Sequence, residues 1–209
     1  MTAATSAPRV NHGWTVFAHP LFTSQLEALI QQVEALRQKD PVGYVKKNAA
    51  NRLAAIARLA FDVIPQDPTR AEYRQGGTLG DDRKHWFRAK FFQQYRLFFR
   101  YHAGAKVIVY ARVNDDDTRR AYESSDDAYR VFRKMLESGP PPDDWNQLFA
   151  EAWRDGLRLQ DLRLKRPSVT SRFPVGLQAE RACRSRSKRY GRVGAMLTAV
   201  DEENRSEHS

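Results

Sequence analysis

Three segments between residues 86 and 113 fix what this chain can become. In "WFRAKFF" (86–92), "YRLFFRYH" (95–102) and "KVIVYARV" (106–113) the side chains change character with a period of two. That is the repeat of a β-strand, in which successive residues point to opposite faces. One face of each segment is apolar: Phe87, Ala89 and Phe91, then Tyr95, Leu97, Phe99 and Tyr101, then Val107, Val109, Ala111 and Val113. The other face carries Trp86, Arg88, Lys90 and Phe92, then Arg96, Phe98, Arg100 and His102, then Lys106, Ile108, Tyr110 and Arg112. An unpaired charge in a core costs several kcal/mol, so the apolar faces are expected to go inward together. The cations then share the far side of a half-buried sheet. Links as brief as Gln93–Gln94 and His102-Ala103-Gly104-Ala105 require antiparallel neighbours. A further strand near 72–75 would bring the sheet to about four.

Around these strands the period is helical. "HPLFTSQLEALIQQVEALRQKD" places Phe22, Leu26, Leu29, Ile30, Val33 and Leu36 on one stripe, with Ser24 and Glu27 spaced as a capping box. Asp40–Pro41 is expected to start a second helix carrying Val45, Ala49, Leu53, Ile56 and Ala60 inward, ending at Ile64–Pro65 and forming an antiparallel hairpin with the first. "SSDDAYRVFRKMLESGPPP" reads as a helix capped by Ser125 or Asp126 and stopped at Gly139, and "DDWNQLFAEAWRDGL" as one more short helix. The expected product is an α+β domain over 13–153: an N-terminal helical hairpin, a small twisted antiparallel sheet and a C-terminal helix. Residues 1–12 read as a flexible arm, and 154–209 as a basic, mostly disordered tail.

Composition narrows the chemistry. A lone cysteine, Cys183, excludes an internal disulfide and a cysteine-rich zinc site, and the five histidines lack metal-ligand spacing. Neither metal nor cofactor is expected. No apolar run approaches the ~20 residues that span a bilayer, and the opening residues lack a signal-peptide layout, so a cytoplasmic protein is expected. The net charge is +10. From Arg154 onward, 13 Lys/Arg stand against 7 Asp/Glu, a net +6, which leaves +4 for the rest. The case for a polyanionic partner therefore rests on where the domain's own cations point.

No Asp or Glu occurs from Arg83 to Val113. Cations without acidic partners in their own sheet call for an external anion. Aromatic residues among them (Trp86, Phe98, Tyr110) suit base stacking, worth roughly 1–3 kcal/mol per base. "GGTLG" (76–80) lacks the Lys-Ser/Thr of a phosphate loop and reads as a turn. His85 can exchange protons near neutrality. Arg119, Arg120 and Tyr122, after the last strand, read either as turn residues or as phosphate clamps.

The ordered set "HGW", "YRQGGTLG", "HWFRAKF", "YRLFFRY", "VND", "DAYRVF", "ML" and "PPDDW", spanning about 11–148, resembles the YhaV toxins of bacterial type II toxin–antitoxin modules, members of the RelE-like superfold. The resemblance implies an α+β ribonuclease that stops translation by cutting mRNA, free or on the ribosome. It also implies an AbrB-like, PrlF-type antitoxin and joint binding of the pair to operator DNA. RelE-like cleavage needs no metal: the ribose 2′-hydroxyl attacks the adjacent phosphate, aided by a base, an acid and cations. Arg96 and Arg100, supported by Arg88, are the expected phosphate grips, because guanidinium is planar and keeps its proton. Lys90, crowded by neighbouring cations, is the expected proton carrier, with His85 and His102 in reserve. Trp86, Phe98, Tyr110 and Arg112 join Arg119, Arg120 and Tyr122 as expected RNA contacts. The alternatives are a non-catalytic binder of RNA or ribosomes, and an inactive copy that acts with its antitoxin at the promoter. Arg96→Ala or Arg100→Ala is expected to cost ~2.7–4 kcal/mol of transition-state stabilisation and to leave the fold intact. Growth arrest on expression of each variant alone is the measurement.

Overall fold

The central sheet is buried on both faces, not one. The computed structural model describes residues 10–114, 127–156 and 158–159. Five strands make up the sheet: β1 (Val10–Asn11), β2 (Trp14–Ala18), β3 (Phe87–Phe91), β4 (Tyr95–His102) and β5 (Val107–Val113), in the order β1-β2-β5-β4-β3. β2 lies parallel to β5, and the other pairs are antiparallel. The expectation of about four antiparallel strands is thus corrected to five in a mixed sheet. The expected strand at 72–75 is a 3-10 turn, Ala71–Tyr73, with one bridge from Arg74 to Phe87. β2, "WTVFA", shows no period of two because both its sides are buried, and so does not announce itself as a strand.

The helices follow their stripes, with shifted ends. α1 (Pro20–Lys39) is capped by His19, whose Nδ1 accepts from the Leu21 amide, rather than by Ser24. Asp40 closes α1 instead of opening the next helix, and its Oδ1 accepts from the Gly43 amide at 2.7 Å. After a 3-10 turn, α2 (Asn48–Arg58) continues through a π-turn, Leu59–Val63, and a last turn, Ile64–Gln66. α3 (Asp127–Ser138) ends where Gly139 takes φ 111°, open to glycine at no steric cost. α4 (Trp145–Arg154) is capped by Asp144, which accepts from the Gln147 amide at 2.9 Å. The expected caps Ser125 and Asp126, and the tail beyond 159, lie outside the described residues. No helix among those residues is long and apolar enough to cross a membrane.

Each sheet face has its own helices. Phe22, Leu26, Leu29 and Val33 of α1 and Leu53 and Ile56 of α2 pack with Ala89, Leu97, Phe99, Ile108 and Tyr110. On the other face, Tyr129, Phe132 and Leu136 of α3 and Leu148 and Ala152 of α4 pack with Trp86, Phe98, Val107, Val109 and Ala111. The expected faces hold for β3 and β4 but not along β5. Phe99 pairs with Tyr110 and Phe98 with Arg112, so Ala111 is an extra residue and the alternation resets there. Ile108 and Tyr110 therefore face α1 and α2, and Arg112 returns to the side of Arg88, Arg96 and Arg100. The Tyr110 hydroxyl donates to the carbonyl of Ala60 in the π-turn at 2.7 Å, and burial pushes its pKa well up. The cationic side is not wet as a whole, because the apolar stripes of α3 and α4 need a partner too.

His19 ties the two layers together. It is 3% exposed, its Nδ1 accepts the cap bond and its Nε2 meets Glu151 of α4 at 2.7 Å. Both contacts suit the neutral ring with the proton on Nε2. Burial lowers its pKa, against the hydrogen bond and charge of Glu151 and the charge of Asp155. A depressed histidine pKa means that the stability it contributes is complete above the ordinary imidazole value of ~6.5. That stability is lost as pH falls through the folded value. The advantage of the parent over His19→Asn in urea denaturation is expected to shrink as pH drops below ~6.5. A constant difference down to pH ~5 would refute the assignment.

Candidate active site

Register brings the cations of three strands to one side and then separates them. Arg88 pairs with Phe98, Lys90 with Arg96, and Phe98 with Arg112. The Phe98 ring lies at the middle of this set, stacked on Phe132 of α3 with centroids 4.1 Å apart and planes at 9°. α3 therefore covers the centre and leaves two ends, with Arg88 beside the cover. Arg88 donates through Nε to the Tyr129 hydroxyl at 2.5 Å and through a terminal nitrogen to the Glu72 carbonyl at 2.7 Å.

The first end is built around Asp143. Its Oδ1 accepts from His85 Nε2 at 2.8 Å and from the buried Trp86 indole at 2.6 Å, while its carbonyl accepts from Arg100 at 2.5 Å. The Arg100 guanidinium lies 5.5 Å from the Trp86 ring centroid and 5.4 Å from that of Trp145. Burial disfavours its charge, and Asp143 and Asp144 support it. Burial would raise the pKa of Asp143, but the hydrogen bonds from His85 and Trp86 and the charges of His85 and Arg100 outweigh it, so the carboxyl sits below its ordinary range. A carboxylate on Nε2 leaves Nδ1 as the basic nitrogen of the neutral His85 ring. His85 is half-buried. Among the described residues the Arg100 guanidinium, with five N–H donors, makes one hydrogen bond, to the Asp143 carbonyl. An imidazole oriented by a carboxylate, beside a fixed guanidinium, can move a proton and hold developing negative charge.

The second end is the β3–β4 turn. Arg96 is 5% exposed and folds back on its own loop, donating to the carbonyls of Gln93 at 2.5 Å and Tyr95 at 3.2 Å, with a buried Nε that has no partner. Its amide donates to Asn114 Oδ1 at 2.5 Å, and the Asn114 side chain in turn donates to the Gln94 carbonyl at 2.9 Å. The expectation of an outward Arg96 whose loss spares the fold is corrected: this guanidinium is built into the hairpin. Lys90, opposite it, is exposed. The charge of Arg88, then burial, then the charge of Arg96 lower its pKa.

Three expected base-stacking residues are core. Trp86 and Phe98 are enclosed beneath α3, and Tyr110 is buried on the opposite face. The Arg112 guanidinium, half-buried, lies against the sulfur of Met135. Lys106 sits over the Trp14 ring at 4.7 Å, on the side of α1 and α2. His102 accepts from the Ala105 amide through Nδ1 at 3.0 Å. Arg119, Arg120 and Tyr122 lie outside the described residues. The residue that sequence reasoning missed is Asp143. It was visible only inside "PPDDW", and a search for acids within the strands could not reach it.

Asp143→Ala leaves the buried Trp86 N–H without its acceptor, and is expected to cost ~1–3 kcal/mol of stability. The stability that a depressed carboxyl contributes is present above its unfolded pKa of ~3.9 and lost as pH falls through the folded value. The deficit of the variant, read from urea midpoints, should therefore narrow in acid. An unchanged midpoint at neutral pH would contradict this network.

Residues 16–153 match a family model described as a toxin with endonuclease activity, of a toxin–antitoxin system. "Toxin YhaV" of Escherichia coli O6:H1 (strain CFT073) is 44% identical over 145 residues, covering 68% of this chain and 94% of the relative. "Ribonuclease toxin YhaV" of Escherichia coli K12 is 43% identical over the same length and coverage. No solved structure matches the chain significantly. With the family match running from β2 to the end of α4, and so through His85, Arg100 and Asp143, the chain belongs to the YhaV family of endonuclease toxins of toxin–antitoxin systems.

Proposed function

We propose that this toxin is a ribonuclease that arrests translation by metal-independent cleavage of RNA, with the cut made at the His85–Arg100 end of the sheet. The observation that carries the reading is the single residue, Asp143, that holds both an imidazole and a guanidinium. The name of the K12 relative supports RNA as the substrate. In the proposed reaction the 2′-hydroxyl attacks the neighbouring phosphate and the bond to the 5′-oxygen breaks. The products are a 2′,3′-cyclic phosphate and a free 5′-hydroxyl. His85 exchanges the proton, Arg100 holds the crowded phosphate oxygens, and Arg88 supports them with its charge from beside α3. About 13 Å of strand separates residues 86 and 90, so Lys90 belongs to binding rather than to this proton transfer.

The wider reading is a RelE-like domain over 13–153 with α1 and α2 as its helical hairpin, and a basic tail from 154 in a cytoplasmic protein. Its antitoxin is of the AbrB-like PrlF type, and the pair acts on operator DNA. Purified full-length protein, incubated with RNA in EDTA, with and without ribosomes, is expected to produce cyclic-phosphate ends. His85→Gln is expected to slow cleavage about 10²- to 10⁴-fold and Arg100→Ala about 10²- to 10³-fold. Parent-like cleavage by both variants would move the site elsewhere. A shifted RNA band with no new ends would make the protein a binder, not an enzyme.

A further inference from the structure

The β3–β4 turn combines three features that the cleavage site does not use. Phe92 is 50% exposed, and its backbone takes φ 45°, a left-handed conformation that bulky side chains rarely adopt. Gln93 follows at φ 60°, and the Gln94 amide closes the turn on the Phe92 carbonyl at 2.6 Å. The Phe92 ring meets Phe91 edge-on at 5.7 Å and keeps half of its surface in solvent. Directly behind it, Lys90 and Arg96 face each other across the register, with Arg88 two residues along the same strand. Among the described residues no carboxylate pairs with any of the three, and Arg96 Nε is a buried donor without a partner. Like charges in such proximity repel, and an anion relieves them.

We infer that this turn is a second RNA-contact point, where the Phe92 ring stacks on a base and the exposed Lys90 takes the adjoining phosphate, with the charge of the buried Arg96 behind it. The inference rests on the RNA reading above and extends it from the cut to the strand beyond. The neighbours of Phe92 at the turn, Gln93 and Gln94, are exposed amides. A stacking ring among cations and amides suits single-stranded nucleic acid, whereas a protein-docking patch would need more apolar area. From Arg96 to Arg100 the strand runs about 13 Å, so one RNA strand can touch both ends of the face.

The test measures binding of the full-length protein to a short 2′-O-methyl RNA, which keeps bases and phosphates but has no 2′-hydroxyl to attack. Phe92→Asn preserves the backbone, because asparagine tolerates the left-handed region, and is expected to weaken binding about 5- to 150-fold. Lys90→Gln should flatten the dependence of log K on log salt by about 0.7, one phosphate contact to a single strand. Parent-like affinity and salt slope in both folded variants overturn the inference, and would leave the turn as a surface for a protein partner. If the parent cleaves unmodified RNA but neither substitution alters binding, this inference alone fails. If binding depends on Phe92 yet no RNA is cut, the contact stands and the cleavage reading fails.

Discussion

A guanidinium cannot shed its charge, and this chain sets four of them, Arg88, Arg96, Arg100 and Arg112, on a sheet face that helices cover. Among the described residues their hydrogen bonds go to groups other than carboxylates, with Asp143 and Asp144 supporting the charge of Arg100 from nearby. Arg88 takes a tyrosine hydroxyl and a carbonyl, Arg96 takes the carbonyls of its own turn, and Arg100 takes a carbonyl between two indoles. Carbonyls and rings satisfy donors without cancelling charge.

The helix that creates the constraint also organises the response. Phe132 and Tyr129 of α3 close over Phe98, and the surface is divided into an end with the His85–Asp143 pair and an end with the exposed Phe92 ring. α4 then supplies rigidity at the first end. Its cap residue Asp144 follows Asp143, so the start of the helix fixes the carboxylate that orients His85. The His85–Asp143–Arg100 cluster is thus held at an element boundary rather than on a free loop, which favours precise geometry.

Much of this was legible in the residues. The period of two in β3 and β4 located the strands and put Arg88, Arg96 and Arg100 on one side, and the ordered motifs led to the family. Four things were not legible, each for a physical reason. β2 is buried on both sides and carries no alternation. The bulge at Ala111 reverses the faces of Ile108 and Tyr110, and nothing in "VIVYARV" marks it. Alternation tells which residues share a face but not what covers that face, so Trp86 and Phe98 read as a stacking platform when they are the floor of a second core. Asp143 enters the site through tertiary contact alone.

The parallel pairing of β2 with β5 has a consequence for synthesis. β2 is the second strand made and its partner is the last, so the sheet remains unfinished while the intervening helices and hairpin are translated. The carboxylate that orients the imidazole is added later still. A nascent chain therefore has neither its closing strand nor the partner of His85 until most of the domain has been translated.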